Sequence, residues 1–180
     1  MFDLHKTKDT ARPLTRRFGS FVAAVAVTFA AGSSALAADA DGPLADAVVN
    51  KYDEIPVDLL AQYYEQADTT EPQWTPGGGV FQFFHGALGP GAIYAGPRRD
   101  GAFAYLIYGN ILVAWGSYGY ENGSGYPITE EKDSWPGSAC SHHSTAVTRQ
   151  QSFRDSEGRI WNYCVRPSDG HVSAFWDYVP

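Results

Sequence analysis

Apolar side chains along the chain recur first at helical and then at strand spacing. In "GPLADAVVNKYDEIPVDLLAQYYEQADTTEP" (Gly42–Pro72), Val57, Leu60, Ala61 and Tyr64 recur at helical spacing. Pro43 and Pro56 stand where a first helical turn tolerates proline. The pattern predicts two short helices, ended by "DTTEP". Of the pair Tyr63-Tyr64, one ring is expected on the core and the other along the surface, the alternative being an aromatic contact site. From Trp74 to Gly109 short aromatic and β-branched runs are cut by Gly and Pro every few residues, which is strand-and-turn material. "GAIYAGPRRDGAFAYLIY" predicts a hairpin turning at "GPRRDG". "NILVAWGSYG" (Asn110–Gly119) predicts a short helix, capped by Asn110, with Ile111, Ala114 and Trp115 on one face. A long turn-rich loop follows, and Thr148–Val179 returns to strand, turn, strand: "DSEG" and "PSDG" are turn sequences, and "RIWNYCV" alternates as a half-buried strand does.

The hairpins echo one another. "GAIY" (Gly91–Tyr94) is matched by "GRIW" (Gly158–Trp161), and "GAFAYLIY" by "GHVSAFW". Such an echo suggests a repeated hairpin unit. The expected fold is α+β, a hairpin-rich repeat-like domain with short helices.

The first 37 residues change the domain picture. Lys6, Lys8, Arg12, Arg16 and Arg17 precede the apolar run Phe21–Ala31, and small residues follow, with Ala35-x-Ala37 suited to signal peptidase. The run is shorter than the about 20 apolar residues a membrane span needs. The expected organisation is therefore a signal peptide over 1–37, a short helical segment over 38–72 and the repeat-like domain over 73–180. Arg16-Arg17 leaves the export route open, since "FGS" fits a twin-arginine signal poorly. The signal takes five of thirteen basic residues and two of twenty acidic ones, leaving eight against eighteen and a net charge of −10. That charge repels phosphate backbones and disfavours nucleic acid as a partner.

Export also decides how the two cysteines, Cys140 and Cys164, are read. In an oxidising compartment they predict a disulfide. Closing a loop of this length is worth roughly 3–3.5 kcal/mol on a chain-entropy basis. The competing zinc site would use Cys140, His142 or His143, Cys164 and His171, but that spacing fits no common finger.

Enzyme motifs are missing. There is no G-x-S-x-G, H-E-x-x-H or Walker pattern, and Gly77–Gly79 lacks a following Lys-Ser/Thr and reads as a flexible turn. Ser141 and His142 are too close in sequence for a triad, and the neighbours Glu130 and Glu131 would point apart. His85, between Phe84 and Gly86, reads as a packed or turn histidine. No catalytic residue, cofactor or metal is therefore assigned.

One ordered set of residues resembles the LGFP repeat, named for its Leu-Gly-Phe-Pro core: Gly91, Ile93 and Tyr94; Gly101 and Ala102; Gly109, Ile111 and Trp115; Gly125, Tyr126, Pro127 and Glu131; then Phe153, Gly158, Ile160 and Trp161. The resemblance covers roughly Gly91–Trp161. It departs from the family at Ser124, where the family has Leu, and at the inserted "SWPGSACSHHSTAV". It implies a secreted, cell-wall-associated module whose partner is a wall polysaccharide or another envelope component. Aromatic faces beside acidic acceptors suit sugars, which offer C–H faces and hydroxyl rims. On that basis Trp115, Tyr118, Tyr120, Tyr126, Glu131 and Trp135 are the candidate binding residues. Gly91, Ile93, Tyr94, Gly125, Pro127, Gly158, Ile160 and Trp161 are the repeat framework. A secreted protein-binding or inhibitor protein is the alternative, and a small secreted hydrolase a further one. The exported chain is expected to begin near Ala38; intact mass of secreted material measures this, and a full-length, membrane-retained product would overturn it.

Overall fold

The computed structural model describes residues 40–97, 101–142, 149–166 and 168–177. The predicted signal peptide, part of the "GPRRDG" turn and His143 lie outside them. Pro43 opens α1 (Pro43–Asp53), which buries Ala45 and Val48, three residues apart. After Pro56 comes α2 (Val57–Tyr63). It has only two turns, and its predicted apolar stripe is only partly used. Val57 is 82% exposed, while Leu59, Leu60 and Tyr63 face the core. Tyr64 reaches full burial by leaving the helix rather than by extending it.

Two antiparallel sheets follow, each built the same way. In the first, short strands β1 (Gln66–Ala67) and β2 (Gln73–Trp74) both pair with one edge of β3 (Val80–Gly86), and β4 (Gly89–Ala95) and β5 (Ala104–Tyr108) complete a meander. Helix α3 (Gly109–Ser117) then leads to the second sheet. There β6 (Tyr126–Pro127) and β7 (Lys132–Asp133) pair with one edge of β8 (Arg149–Arg154), followed by β9 (Ile160–Val165) and β10 (Val172–Asp177). Register makes the correspondence residue by residue. Ala67 stands opposite Phe84, as Pro127 does opposite Phe153. The row Phe84–Gly91–Tyr108 in the first unit answers to Phe153–Trp161–Trp176 in the second. The fold is thus α+β and hairpin-rich, as the patterning predicts.

The pairing differs from the sequence echo. By register, Gly91 answers to Trp161 and Ile93 to Tyr163, so "GAIY" and "GRIW" are not equivalent. The cause is loop length: two residues join β3 to β4, and five join β8 to β9. The longer loop moves the second motif three positions out of step.

Two apolar clusters hold the units. The first packs α1, α2 and Tyr64 on Val80, Phe84, Ile93, Leu106 and Tyr108. The second lies between the sheets, with α3 at its centre: Ala92, Tyr94, Ile107, Ile111, Leu112, Trp115, Phe153, Tyr163 and Val165. Asn110 does not cap α3. The helix begins at Gly109 (φ +55), and the Asn110 amide instead donates to the Gly170 carbonyl at 2.9 Å, tying α3 to the β9–β10 turn. Cys140, in a short 3₁₀ turn, is joined to Cys164 of β9 with a Cα–Cα distance of 5.6 Å. The joined sulfurs leave no thiolates for the zinc alternative. Among the described residues no helix is long and apolar enough to cross a membrane.

The loop into β6 turns on Gly125, at φ +80, where a Cβ would collide with the Arg154 carbonyl and the Asp155 Cα. Gly125→Val should therefore cost about 3 kcal/mol or more, from left-handed strain and from separation of β6 from β8. Chemical denaturation measures this, and a loss under about 1 kcal/mol would show that the turn can be remade.

Candidate functional site

The segment between α3 and β6 must reverse direction twice in few residues. It does so through Gly119 (φ +88), a 3₁₀ turn over Tyr120–Asn122 and Gly125. Buried groups then hold it. The Trp115 indole N–H donates to the Gly125 carbonyl at 3.2 Å. The Ser124 hydroxyl, wholly buried, lies 2.5 Å from that of Tyr163. A hydroxyl pair thus replaces the leucine that the named repeat core would place there.

Tyr126 fills a seat made by the first unit. A Cβ at Gly77, Gly79 or Gly96 would run into its side chain, and its hydroxyl meets Thr75 Oγ1 while accepting the Gly79 N–H at 3.1 Å. Gly77–Gly79 is a turn, as the sequence predicts, and Gly77 and Gly79 within it form a close-approach floor for this ring. Burial raises the Tyr126 pKa, against the hydrogen bonds from Thr75 and Gly79.

Beside Tyr126 lies a cleft of about 600 Å³, within the ~300–1,000 Å³ usual for small-ligand sites. Gly77, Pro97, Tyr126, Pro127 and Ile128 form its less polar wall, and Glu121, Asn122, Arg154, Asp155 and Ser156 its polar one. Arg154 is exposed and makes no ion pair among the described residues. Burial raises the pKa of Glu121. Asp155 is fully committed. Its Oδ1 accepts the N–H groups of Glu157 (3.0 Å) and Arg159 (2.9 Å), and its Oδ2 accepts Arg159 Nε (2.7 Å) and Trp161 Nε1 (3.0 Å). Burial alone would raise its pKa, but these bonds hold it below the ordinary value. The cleft thus offers a guanidinium, an amide, a hydroxyl, a carboxylate and a ring edge on a rigid base. A second hollow, of about 640 Å³, is lined by Pro43, Leu44, Trp74, Pro97, Gly101 and Ala102. Asp41 is the one charged group among the described residues that line it.

The candidate binding residues scatter. Trp115 is wholly buried and holds the fold, so it cannot face a ligand. Glu131 is also removed: its side chain is 5% exposed, Oε1 pairs with Arg149 Nε at 3.1 Å, and Oε2 is buried without a hydrogen-bond partner among the described residues. The role of accepting a backbone amide belongs to Glu130, which takes the Leu106 N–H at 3.1 Å and pairs with Lys51 at 2.6 Å. Tyr120 is half-buried against Trp115 and Phe83. Trp135 is exposed beneath the Lys132 ammonium (4.6 Å), but follows β7, which pairs with the far end of β8, roughly 16 Å from Arg154 along the strand. Tyr118 is exposed near Trp161. Only Tyr126 lines the cleft. Arg154, Asp155 and Ser156 were legible only as the start of a turn, and Asn122 and Glu121 only as loop; the pairing of Tyr126 with Arg154 is what gathers them.

Residues 69–123 match the family model of the LGFP repeat. The match covers β2 to β5, α3 and the 3₁₀ turn, and stops one residue short of Ser124-Gly125-Tyr126-Pro127. It overlaps the resemblance read from the sequence over 91–123 and extends it toward the N-terminus. No curated protein and no solved structure matches the chain.

Burial pushes the Glu131 carboxyl up to about 7, against the attraction of Arg149, with Asp133 adding to the rise. Unfolded, the group titrates near its ordinary 4.5. The folded state therefore holds the proton more tightly. Its contribution is fully present below about pH 4.5 and is lost as pH rises through about 7, an effect on the order of 3 kcal/mol. Glu131→Gln should flatten that slope in urea unfolding run across the same interval, and an unchanged slope would assign it to another group.

Proposed function

Because the chain carries an LGFP repeat, we propose that it is a cell-wall-associated binding module whose cleft beside the Ser124–Pro127 loop contacts a wall carbohydrate. The observation that carries this reading is the cleft itself. Arg154, which makes no ion pair among the described residues, converges with Asn122, Ser156 and Glu121 next to the Tyr126 ring, on a base fixed by Asp155. Sugar hydroxyls need both donors and acceptors, and the cleft supplies both within reach of one ring. The joined cysteines agree with an exported chain, since disulfides persist in oxidising compartments. The Glu130–Glu131 pair gives no support to hydrolysis, because Glu130 is spent on Leu106 and Lys51 and Glu131 on Arg149.

Co-sedimentation with purified, protein-free cell-wall polysaccharide tests the proposal. The exported chain should be retained. Arg154→Ala and Asn122→Ala should each weaken retention about tenfold, as loss of one charge-assisted or neutral hydrogen-bonding group does, with little change in thermal stability. No retention of the wild-type chain, or turnover of the polymer, would reject this reading.

A further inference from the structure

The two units share a frame but differ in what covers one row of it. In the first unit the row Phe84–Gly91–Tyr108 is closed. Tyr63 lies on Tyr108 with ring centroids 4.9 Å apart, and Tyr64 contacts Phe84 at 5.4 Å. Nothing larger than glycine fits at position 91, where a Cβ would strike the Tyr63 carbonyl and press on the Tyr64 ring. Arg149 completes the cover, its guanidinium carbon 5.4 Å from the Tyr108 ring.

Counting back from the equivalent positions Ala67 and Pro127, Tyr63 and Tyr64 answer to Gly123 and Ser124. The second unit thus has no ring at the place of Tyr63. Its row is Phe153–Trp161–Trp176. Phe153 is buried, Trp161 is half-buried, and Trp176 is 48% exposed. Arg159 stands 5.6 Å from the Trp176 ring, close to the 5.4 Å of Arg149 from Tyr108. Tyr118, 50% exposed, lies 6.0 Å from Trp161. Among the described residues the covering ring is missing while the ring beneath it and the cation beside it are kept.

The ledge is also fixed in place. The Asp155 carboxylate accepts the Trp161 indole N–H and the Arg159 guanidinium, and Arg159 in turn lies at Trp176. One buried carboxylate therefore orients the ledge, and the same residue lines the cleft. Rings locked by such a second set of bonds lose little freedom on contact.

We infer that Trp176, with Trp161 and Tyr118, is a stacking subsite for the C–H face of a pyranose ring, continuous with the cleft and serving a longer stretch of the same glycan. The inference rests on the carbohydrate reading of the cleft. A sugar fits better than a protein partner. Three half-covered rings offer far less than the about 800 Å² per side of a stable protein interface, and Arg159 and the cleft beside them supply hydrogen-bonding groups for hydroxyl rims.

The test uses the exported chain and protein-free cell-wall polysaccharide. Trp176→Ala should weaken retention about tenfold, Trp176→Phe by no more than about threefold, and Trp135→Ala, an exposed indole elsewhere, not at all. Thermal midpoints check that the variants stay folded. Independently, N-bromosuccinimide oxidation followed by peptide mass spectrometry should show Trp176 protected when soluble fragments of that polysaccharide are present, and Trp135 unprotected. If Trp176→Ala is retained like wild type while Arg154→Ala is lost, the cleft stands and the ledge does not. If a peptide digest protects Trp176 and the polysaccharide does not, the ledge serves a protein and the inference is overturned. If wild type is not retained at all, the carbohydrate reading falls and this inference with it.

Discussion

The Trp115 indole is the contact on which the rest of the structure depends. Its ring lies 4.7 Å from Tyr94 of the first sheet, 5.1 Å from Phe153 of the second and 5.3 Å from Tyr120 of the following turn, and its N–H holds the Gly125 carbonyl. A buried indole loses a water hydrogen bond unless it finds an acceptor, so Trp115 in the core requires a carbonyl aimed inward. Gly125 at φ +80 supplies it by turning the loop back over α3. Removing a ring of this size from a core costs on the order of 3–5 kcal/mol. Here it would also release the joint between the units, so the loss would not be local.

A second constraint is the free edge of β5. An unpaired edge strand needs partners for its N–H and C=O groups. The second unit provides them with side chains. Glu130 accepts the Leu106 N–H, and the Gln151 amide donates to the Leu106 carbonyl at 2.8 Å. The units are thus joined by an aromatic core and by a polar seam, and the polar seam sets their relative register. The outward faces differ in keeping with their cover. Phe81, Phe83 and Ala92 of the first sheet pack in the cluster around α3, whereas their counterparts Gln150, Ser152 and Asn162 are polar, and the Ser152 hydroxyl donates across the strands to Asn162 at 2.8 Å. Gln150 and Asn162 are nonetheless buried, at 5% and 6% exposure, so this face is covered, and its polar groups must be met by hydrogen bonds rather than by water.

Much of this was legible in the chain and some was not, for identifiable reasons. Glycine-cut aromatic runs gave the hairpins, because strand length and turn chemistry are local. Helix α3 and the disulfide were legible likewise. The partition of aromatic residues between core and surface was not. Trp115 and Tyr118 are three residues apart on one helix end, yet one is sealed and the other exposed, because only the second sheet decides which direction is inward. Glu130 and Glu131 could be expected to diverge, but not which would meet an amide, since Leu106 and Arg149 are distant in sequence. His85 was read as packed or as a turn residue. It sits near the β3–β4 turn, exposed, with Asp68 2.5 Å away. The cleft was hidden for the same reason as the misaligned echo. Both follow from the five-residue β8–β9 loop, whose length shifts register and whose Asp155 gathers Arg159 and Trp161.

The surface chemistry of the second unit follows from what the duplication leaves out. In the first unit, Tyr63 and Tyr64 at the end of α2 close the aromatic row, and that unit turns its chemistry inward. In the second, the same positions belong to the turn after α3. That turn must be narrow enough to bring Gly125 under Trp115, and at Gly123 a Cβ would collide with the Tyr118 carbonyl. A glycine there is imposed by the backbone path, and the loss of a covering ring is its consequence. Where Gly91 leaves room for the Tyr64 ring, the second unit carries Trp161 on the strand itself, and among the described residues no ring takes the place of Tyr63 by Trp176. The path that joins the units thus also opens the second one. Arg154, which makes no ion pair among the described residues, and the cleft lie beside that bend, with Gly77 and Pro97 of the first unit closing one wall.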